Sequence, residues 1–255
     1  MRNRYVVILP TYNEKENIKT RIVSIGRCFP EMNVLVVDDN SPDGTAAVVK
    51  TMIEKEQNSK IHLIVRSSKT GLGSAYREGF NWAIENDFDW IIQMDADGSH
   101  SDVDLSEMIR STRGDAVPDC VVGSRWIPGG SVELWSPKRV ILSKAANYLS
   151  RKLLGHKVRD STSGFRIYSR DTLVEIDFAS TKSQGYAFQI EMTLKCASFD
   201  KRILEIPITF KDRQLGQSKM SFRIVLETLF LLAGWSIVNS MQKARMLPRR
   251  EIRID

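Results

Sequence analysis

Cysteine is scarce in this 255-residue chain: Cys28, Cys120 and Cys196 are odd in number, scattered, and never spaced as C-x-x-C. That excludes a zinc knuckle and a disulfide framework, and suits a reducing compartment. Low-complexity tracts and internal repeats are absent, so neither a disordered nor a collagen-like chain is in question. The N-terminus has no long apolar run; "MRNRYVVILPTYNE" meets a proline and a glutamate after a few apolar residues. It reads as a first strand, not a signal peptide. Glycine is missing from "TYNEKEN", directly after that strand, where a dinucleotide-binding fingerprint needs it. A later stretch, "GLGSAYREGF", has Gly71 and Gly73 but Tyr76 in place of a third glycine, and follows the third strand. A P-loop is missing altogether. Those two glycines serve either a close backbone approach to a ligand or a tight turn into a helix.

What is present is the composition of a soluble globular protein, 42% hydrophobic and 27% charged, long enough for one large domain or two small ones. The formal charge of +6 favours anionic partners without choosing among nucleotides, phosphates, acidic membrane and nucleic acid. The first half alternates. Apolar strands are predicted at 5–10, 34–39, 61–66, 90–94 and 120–124. Helices are predicted at 14–29, with Ile18, Ile22 and Ile25 on one face, after a Ser41 cap, and at 71–85. Such alternation predicts an α/β fold with a mostly parallel sheet flanked by helices. Past Trp126 the pattern is lost: residues 128–131 read as a flexible glycine loop, "DSTSGFRIYSR" as a turn into a short strand, "GYAFQIEMTLKCAS" as a helix and 202–213 as a strand with a polar end.

Ligands of parallel sheets bind beyond the carboxyl ends of the strands. Polar clusters stand at those ends: Thr11 to Glu14, Asp38-Asp39, Asp95-Ala96-Asp97 and Ser124-Arg125. One acid after a strand is usually a helix cap, which would explain Glu14 or Asp43. Acids at the ends of three strands, converging on one edge, mark a site. Asp95 and Asp97 suit a hard cation, Mg²⁺ or Mn²⁺, shared with substrate phosphates. They equally suit a solvated loop with a capping aspartate before a helix near Asp102, and the spacing leaves both open. His100 beside them is unassigned. Trp126 and Trp135 suit a sugar, a lipid or the core; Asp160 and Ser163 are expected to shape the turn before Gly164.

The ordered set "ILPTYNE", "VVDDNSPDGT", "GLGSAYREGF", "MDADGSH", "GSRW", "STSGFRIYSR" and "PITFKDRQLGQSKMS" resembles family 2 glycosyltransferases over roughly residues 6–221. Within them it is most similar to the polyprenol (dolichol) monophosphate mannose synthases without transmembrane helices. The resemblance implies a GT-A, Rossmann-like catalytic domain at 1–221 that transfers mannose with inversion from GDP-mannose to a polyprenyl phosphate, using Mg²⁺ or Mn²⁺. It puts Pro10, Tyr12 and Glu14 around the base and ribose, with Val37 and Asp39 beside them. Asp95, Ala96 and Asp97 would hold metal and diphosphate, and Arg125, Arg213 and Lys219 would be the basic partners of the diphosphate or acceptor phosphate. Asp97, Arg213 and Lys219 are the expected catalytic groups. Ser99 stands where many relatives have glutamine; a hydroxyl is the poorer metal ligand, and water can take that third place. Two other readings stay open: glucose or N-acetylhexosamine transfer from a UDP-sugar, and a nucleotide-sugar-binding regulatory subunit without turnover.

An alcohol acceptor needs a general base, but a phosphate monoester, with a second pKa of ~6, is already an anion near neutral pH. No acid beyond Glu14, Asp39, Asp95 and Asp97 is therefore expected to be essential. Residues 134–159 contain no acid but hold Lys138, Arg139, Lys144, Arg151, Lys152, Lys157 and Arg159; residues 222–241 form an apolar stretch whose only charges are Arg223 and Glu227. Together they predict a C-terminal amphipathic helix in a 222–255 segment, lying at a membrane interface and assisted by cations. Packing on the core or on a dimer partner is the other reading. The expected setting is the cytoplasmic face of a membrane, peripherally bound, with a second copy or a membrane anchor as a possible protein partner and no nucleic acid.

Overall fold

The computed structural model describes residues 4–56 and 59–212. Arg213, Lys219 and the helix expected at 222–241 lie outside the described residues. The alternation read from the sequence is realised as β1 (Tyr5–Thr11), α1 (Lys15–Cys28), β2 (Asn33–Asp38), α2 (Thr45–Glu56), β3 (Ile61–Val65), α3 (Leu72–Glu85), β4 (Trp90–Gln93), α4 (Asp102–Ser111) and β5 (Cys120–Ser124). After these come β6 (Ser131–Glu133), α5 (Pro137–Leu154), β7 (Arg166–Ser169), α6 (Arg170–Glu175), α7 (Gly185–Ser198), β8 (Ile203–Pro207) and β9 (Thr209–Lys211).

Seven strands form one sheet in the order β3-β2-β1-β4-β7-β5-β8, parallel except for β7, which runs against both neighbours. Apolar residues fill both faces. Ile18, Ile22 and Ile25 of α1 pack with Leu105 and Met108 of α4 on one side. Tyr76, Phe80, Phe178 and Phe188 fill the other. A sheet covered on both faces has no reason to alternate polar and apolar residues, which accounts for the near-continuous Val/Ile/Leu strands. Tyr76, the residue that broke the glycine fingerprint, is wholly buried and donates its hydroxyl to the Met94 carbonyl at the end of β4.

Three local expectations change. Ser41 does not cap α2. Its N–H and hydroxyl both donate to Asp38, and its Oγ accepts the Asn13 N–H, while Asp43 takes the Thr45 N–H at the helix start. The loop expected at 128–131 ends in β6, which pairs in parallel with β9. A β-carbon at Gly130 would stand 2.5 Å from the Ser124 carbonyl oxygen, so the chain folds back tightly there. The strand expected at 202–213 is divided at Ile208 between the large sheet and this small one. The acid-free segment supplies α5, capped by Ser136 and stopped by Gly155 in the left-handed conformation. Among the described residues no helix is long and apolar enough to cross a membrane.

Candidate functional site

The parallel strands deliver their ends to one rim. Thr11, Asp39, Asp95 and Arg125 follow or end β1, β2, β4 and β5, and all four line one cleft of about 310 Å³. Pro10, Tyr12, Glu14, Ala96 and Asp97 line it too, so nine of the residues at these strand ends share a wall. Val37 does not: it is fully buried, its side chain packed where α3 crosses the sheet at Gly79. Ser99 is likewise buried and off the cleft. Its N–H donates to Asp97 Oδ1 at 3.0 Å, so it steadies a carboxylate, and its Oγ has no hydrogen bond among the described residues.

His100 acquires a role. Its Nδ1 accepts the Asp95 N–H at 3.3 Å and its ring stacks on Phe165 at 4.5 Å. Burial pushes its pKa down to about 3, outweighing the pull of Asp97. A neutral ring that accepts through Nδ1 and fixes the Asp95 backbone is a scaffold for the acid turn. The remaining Asp95 and Asp97 carboxylates are half-buried at the cleft wall.

The positive groups are differently committed. Arg125 is buried, with Nε and Nη2 donating to Asp160 at 2.7 and 2.8 Å and Nη2 also to Thr162. Burial works against its charge, but Asp160 holds the guanidinium above its usual range. Asp160 was expected to shape a turn, and its carbonyl does accept the Ser163 N–H and its carboxylate the Thr162 hydroxyl; it is also the buried counter-ion of a cleft-lining arginine. Ser163 does shape that turn, accepting the Phe165 N–H. Arg139 pairs with Asp212 at 2.8 Å and lies 3.8 Å over the Trp135 ring. Trp135 lines the cleft, while Trp126 packs edge-on against it. Arg66 binds the buried Asp39 carboxylate and also Glu78. Lys69 places its ammonium 3.9 Å over the Tyr12 ring.

Gly71 and Gly73 settle the question left open by the sequence. A β-carbon at Gly73 would meet the Ser183 carbonyl oxygen at 2.4 Å, and one at Gly71 the Gln184 side chain at 2.6 Å. The glycines let the start of α3 meet the segment before α7, with Gly71 also on the cleft wall. Lys69, Tyr186, Gln189 and Asp212 also line the cleft and were not singled out by sequence. Lys69 and Asp212 flank motif glycines and arginines, which is a faint signal; Tyr186 and Gln189 sit in a helical pattern that gives none.

The donor set fits a hard divalent cation. Asp95 and Asp97 bring two carboxylates to the cleft from one strand end, His100 is spent on a backbone N–H, and no cluster of three His, Cys, Asp or Glu that would hold a metal occurs among the described residues. Such a pair leaves most positions to water and substrate phosphates, the usual arrangement for Mg²⁺-type ions.

Residues 6–177 match the family model described as glycosyl transferase family 2. The chain is 41% identical over 246 residues to polyprenol monophosphomannose synthase of Mycolicibacterium smegmatis, covering 96% of this chain and 92% of that one. It is 41% identical over 234 residues to undecaprenyl-phosphate mannosyltransferase of Micrococcus luteus, covering 92% and 94%. A mannosyltransferase from Pyrobaculum calidifontis, solved in complex with GDP-Man and Mn²⁺, superposes with a TM-score of 0.59 at 16% identity, over 95% of this chain and 65% of that one. The last likeness is one of fold, that of a GT-A glycosyltransferase; with the family model spanning more than half the sequence, the chain belongs to glycosyl transferase family 2.

Proposed function

We infer that this enzyme transfers mannose, with inversion, from GDP-mannose to a polyprenyl phosphate. The observation that carries the reading is the cleft: acids from three parallel strands meet there beside guanidinium groups, in a chain 41% identical to a polyprenol monophosphomannose synthase and to an undecaprenyl-phosphate mannosyltransferase. Tyr12, Glu14 and Asp39 form the end suited to base and ribose, with Lys69 over the Tyr12 face. Asp95 and Asp97 would hold Mg²⁺ or Mn²⁺, which when bound supplies charge stabilisation to the departing diphosphate. Arg125 has Nε and Nη2 fixed by Asp160, which leaves Nη1 as the group to meet a phosphate. Arg139, Arg213 and Lys219 complete the cationic set.

In the transfer, an oxygen of the lipid phosphate attacks the anomeric carbon from the face opposite the diphosphate. The bond to the diphosphate oxygen breaks, and its electron pair leaves with GDP. The attacking oxygen is already anionic, so the site must hold two anions close together and need not remove a proton. The catalytic unit is taken to be 1–221. The 222–255 segment, with the exposed Lys138, Lys144, Ile141 and Tyr148 of α5, would bring the enzyme to the cytoplasmic face of a membrane where its acceptor lies.

Purified protein is to be incubated with Mn²⁺ or Mg²⁺, a panel of labelled GDP- and UDP-sugars, and short polyprenyl phosphates. Transfer from GDP-mannose with inverted configuration at the anomeric carbon is expected. Transfer from a UDP-sugar alone, or binding of nucleotide sugars without turnover, would overturn the reading.

A further inference from the structure

Gln189 lies on α7, one turn from Tyr186, and both residues line the cleft. The residue is 2% exposed, yet neither its amide oxygen nor its amide nitrogen has a hydrogen-bond partner among the described residues. A buried, unpartnered carboxamide is costly to a fold. On the wall of a cleft, a ligand can supply the partners. Asp95 is close by: a β-carbon at Gly164 would stand 3.8 Å from both Asp95 Oδ1 and Gln189 Nε2, so carboxylate and amide border the same space beside that glycine.

From this juxtaposition we propose that Gln189 reads hydroxyl groups of the transferred sugar, and is a specificity-determining residue of the donor subsite. The inference rests on the transferase reading above. A hexosyl group is one bond from the diphosphate that Asp95 helps to hold, so a group bordering the same space as Asp95 is within its reach. The chemistry selects hydroxyls over phosphate. A phosphate accepts from Nε2–H but leaves the amide oxygen with no donor, whereas two vicinal hydroxyls satisfy both ends, one accepting and one donating. Rotation about the soft terminal torsion of glutamine turns the group to the cleft face. Gly164 is the second half of the device: without a side chain it leaves the space bordered by amide and carboxylate open.

The test compares wild type with Gln189→Leu and Gly164→Ala by calorimetric titration with GDP, GDP-mannose and its monodeoxy analogues, each with Mn²⁺. Gly164 is not in the left-handed region, and among the described residues beyond its chain neighbours its added methyl would meet no atom closer than 3.8 Å, so that variant should fold. Gln189→Leu removes an unpartnered amide and should leave the melting temperature without donor unchanged or raised. Both variants should bind GDP as wild type does and GDP-mannose roughly 10- to 100-fold more weakly. In wild type at least one deoxy analogue should lose a similar factor, and in Gln189→Leu that same deletion should cost nothing further. Gln189→Leu that discriminates among the analogues as wild type does would overturn the proposal. So would a variant with normal donor affinity and a raised KM for the lipid phosphate, which would turn the amide toward the acceptor. Wild-type protein that binds no nucleotide sugar overturns the transferase reading itself, a result separate from either.

Discussion

Removing the charge of Asp160 should unfold more than it disarms. Asp160 is fully buried and Arg125 5% exposed, and the carboxylate takes the Arg125 N–H, Nε and Nη2. In Asp160→Asn the guanidinium keeps its charge and loses its counter-ion in a water-poor place. Two charges ~4 Å apart at an effective dielectric of ~20 attract by about 4 kcal/mol. Breaking such a pair from one side costs about 3–5 kcal/mol, because the survivor is left buried and unpaired. At roughly 2–4 °C per kcal/mol for a chain of this size, the melting temperature should fall by about 10 °C. The assay is thermal unfolding followed by circular dichroism. Its control is Arg125→Met/Asp160→Leu, which should recover most of the stability while transfer stays lost. The pH dependence has a definite sign. Burial works to raise the Asp160 pKa, but Arg125 and the hydrogen bonds to it lower it overall. Stability from the pair is therefore complete above the ordinary carboxylate pKa of ~3.9 and is lost only as pH falls below that value. A loss under ~3 °C in Asp160→Asn, or a double variant no better than the single one, would refute the argument.

Asp97→Ala should fold normally and lose at least ~100-fold in transfer, as should wild type in excess chelator, since charge stabilisation at the diphosphate is gone; full turnover in either case would count against the metal site. Among the described residues Asp212 is the one cleft-lining acid beyond Glu14, Asp39, Asp95 and Asp97, and it is engaged with Arg139. Asp212→Asn should stay within ~10-fold of wild type in single turnover at saturating substrates, because an anionic acceptor needs no base; loss of the chemical step with both substrates bound would identify a base. His156 is buried beside Ser150, and burial with Arg166 and Arg151 nearby lowers its pKa to about 4. The unfolded chain binds its proton from ~6.5, so stability should fall as pH drops from ~6.5 to about 4, by up to ~1.4 kcal/mol per pH unit, and His156→Gln should flatten that slope. Anionic liposomes should float the protein at low salt and less of it at high salt, since screening weakens the basic residues of α5 but not apolar insertion; no binding at low salt would assign the 222–241 stretch to core or dimer contact.

Much of the framework was written locally. Each of the first five strands is an apolar run ended by a polar cluster, and the period of Ile18, Ile22 and Ile25 fixed the buried face of α1. Acids at successive strand ends needed only the rule for parallel sheets to become one site, because crossover connections bring all those ends to the same edge. What the sequence could not carry was pairing across distance. β7 enters the sheet antiparallel between β4 and β5, and nothing in "RIYS" distinguishes such a strand from a parallel one. Arg21 looks like a surface residue of an early helix, yet it is buried in a salt bridge to Asp102, 81 positions away. Arg125 was legible as a cation at a strand end, but its counter-ion Asp160 lies on another turn. Sequence alone determined the alternating elements of the first half and the acids that their strand ends carry to the rim, since periodicity and strand ends are short-range properties. Only the tertiary structure decided which charges are already spent, that His100 is a neutral scaffold and that Gln189 is left without a partner, because desolvation and hydrogen bonding depend on neighbours the chain brings together from far apart.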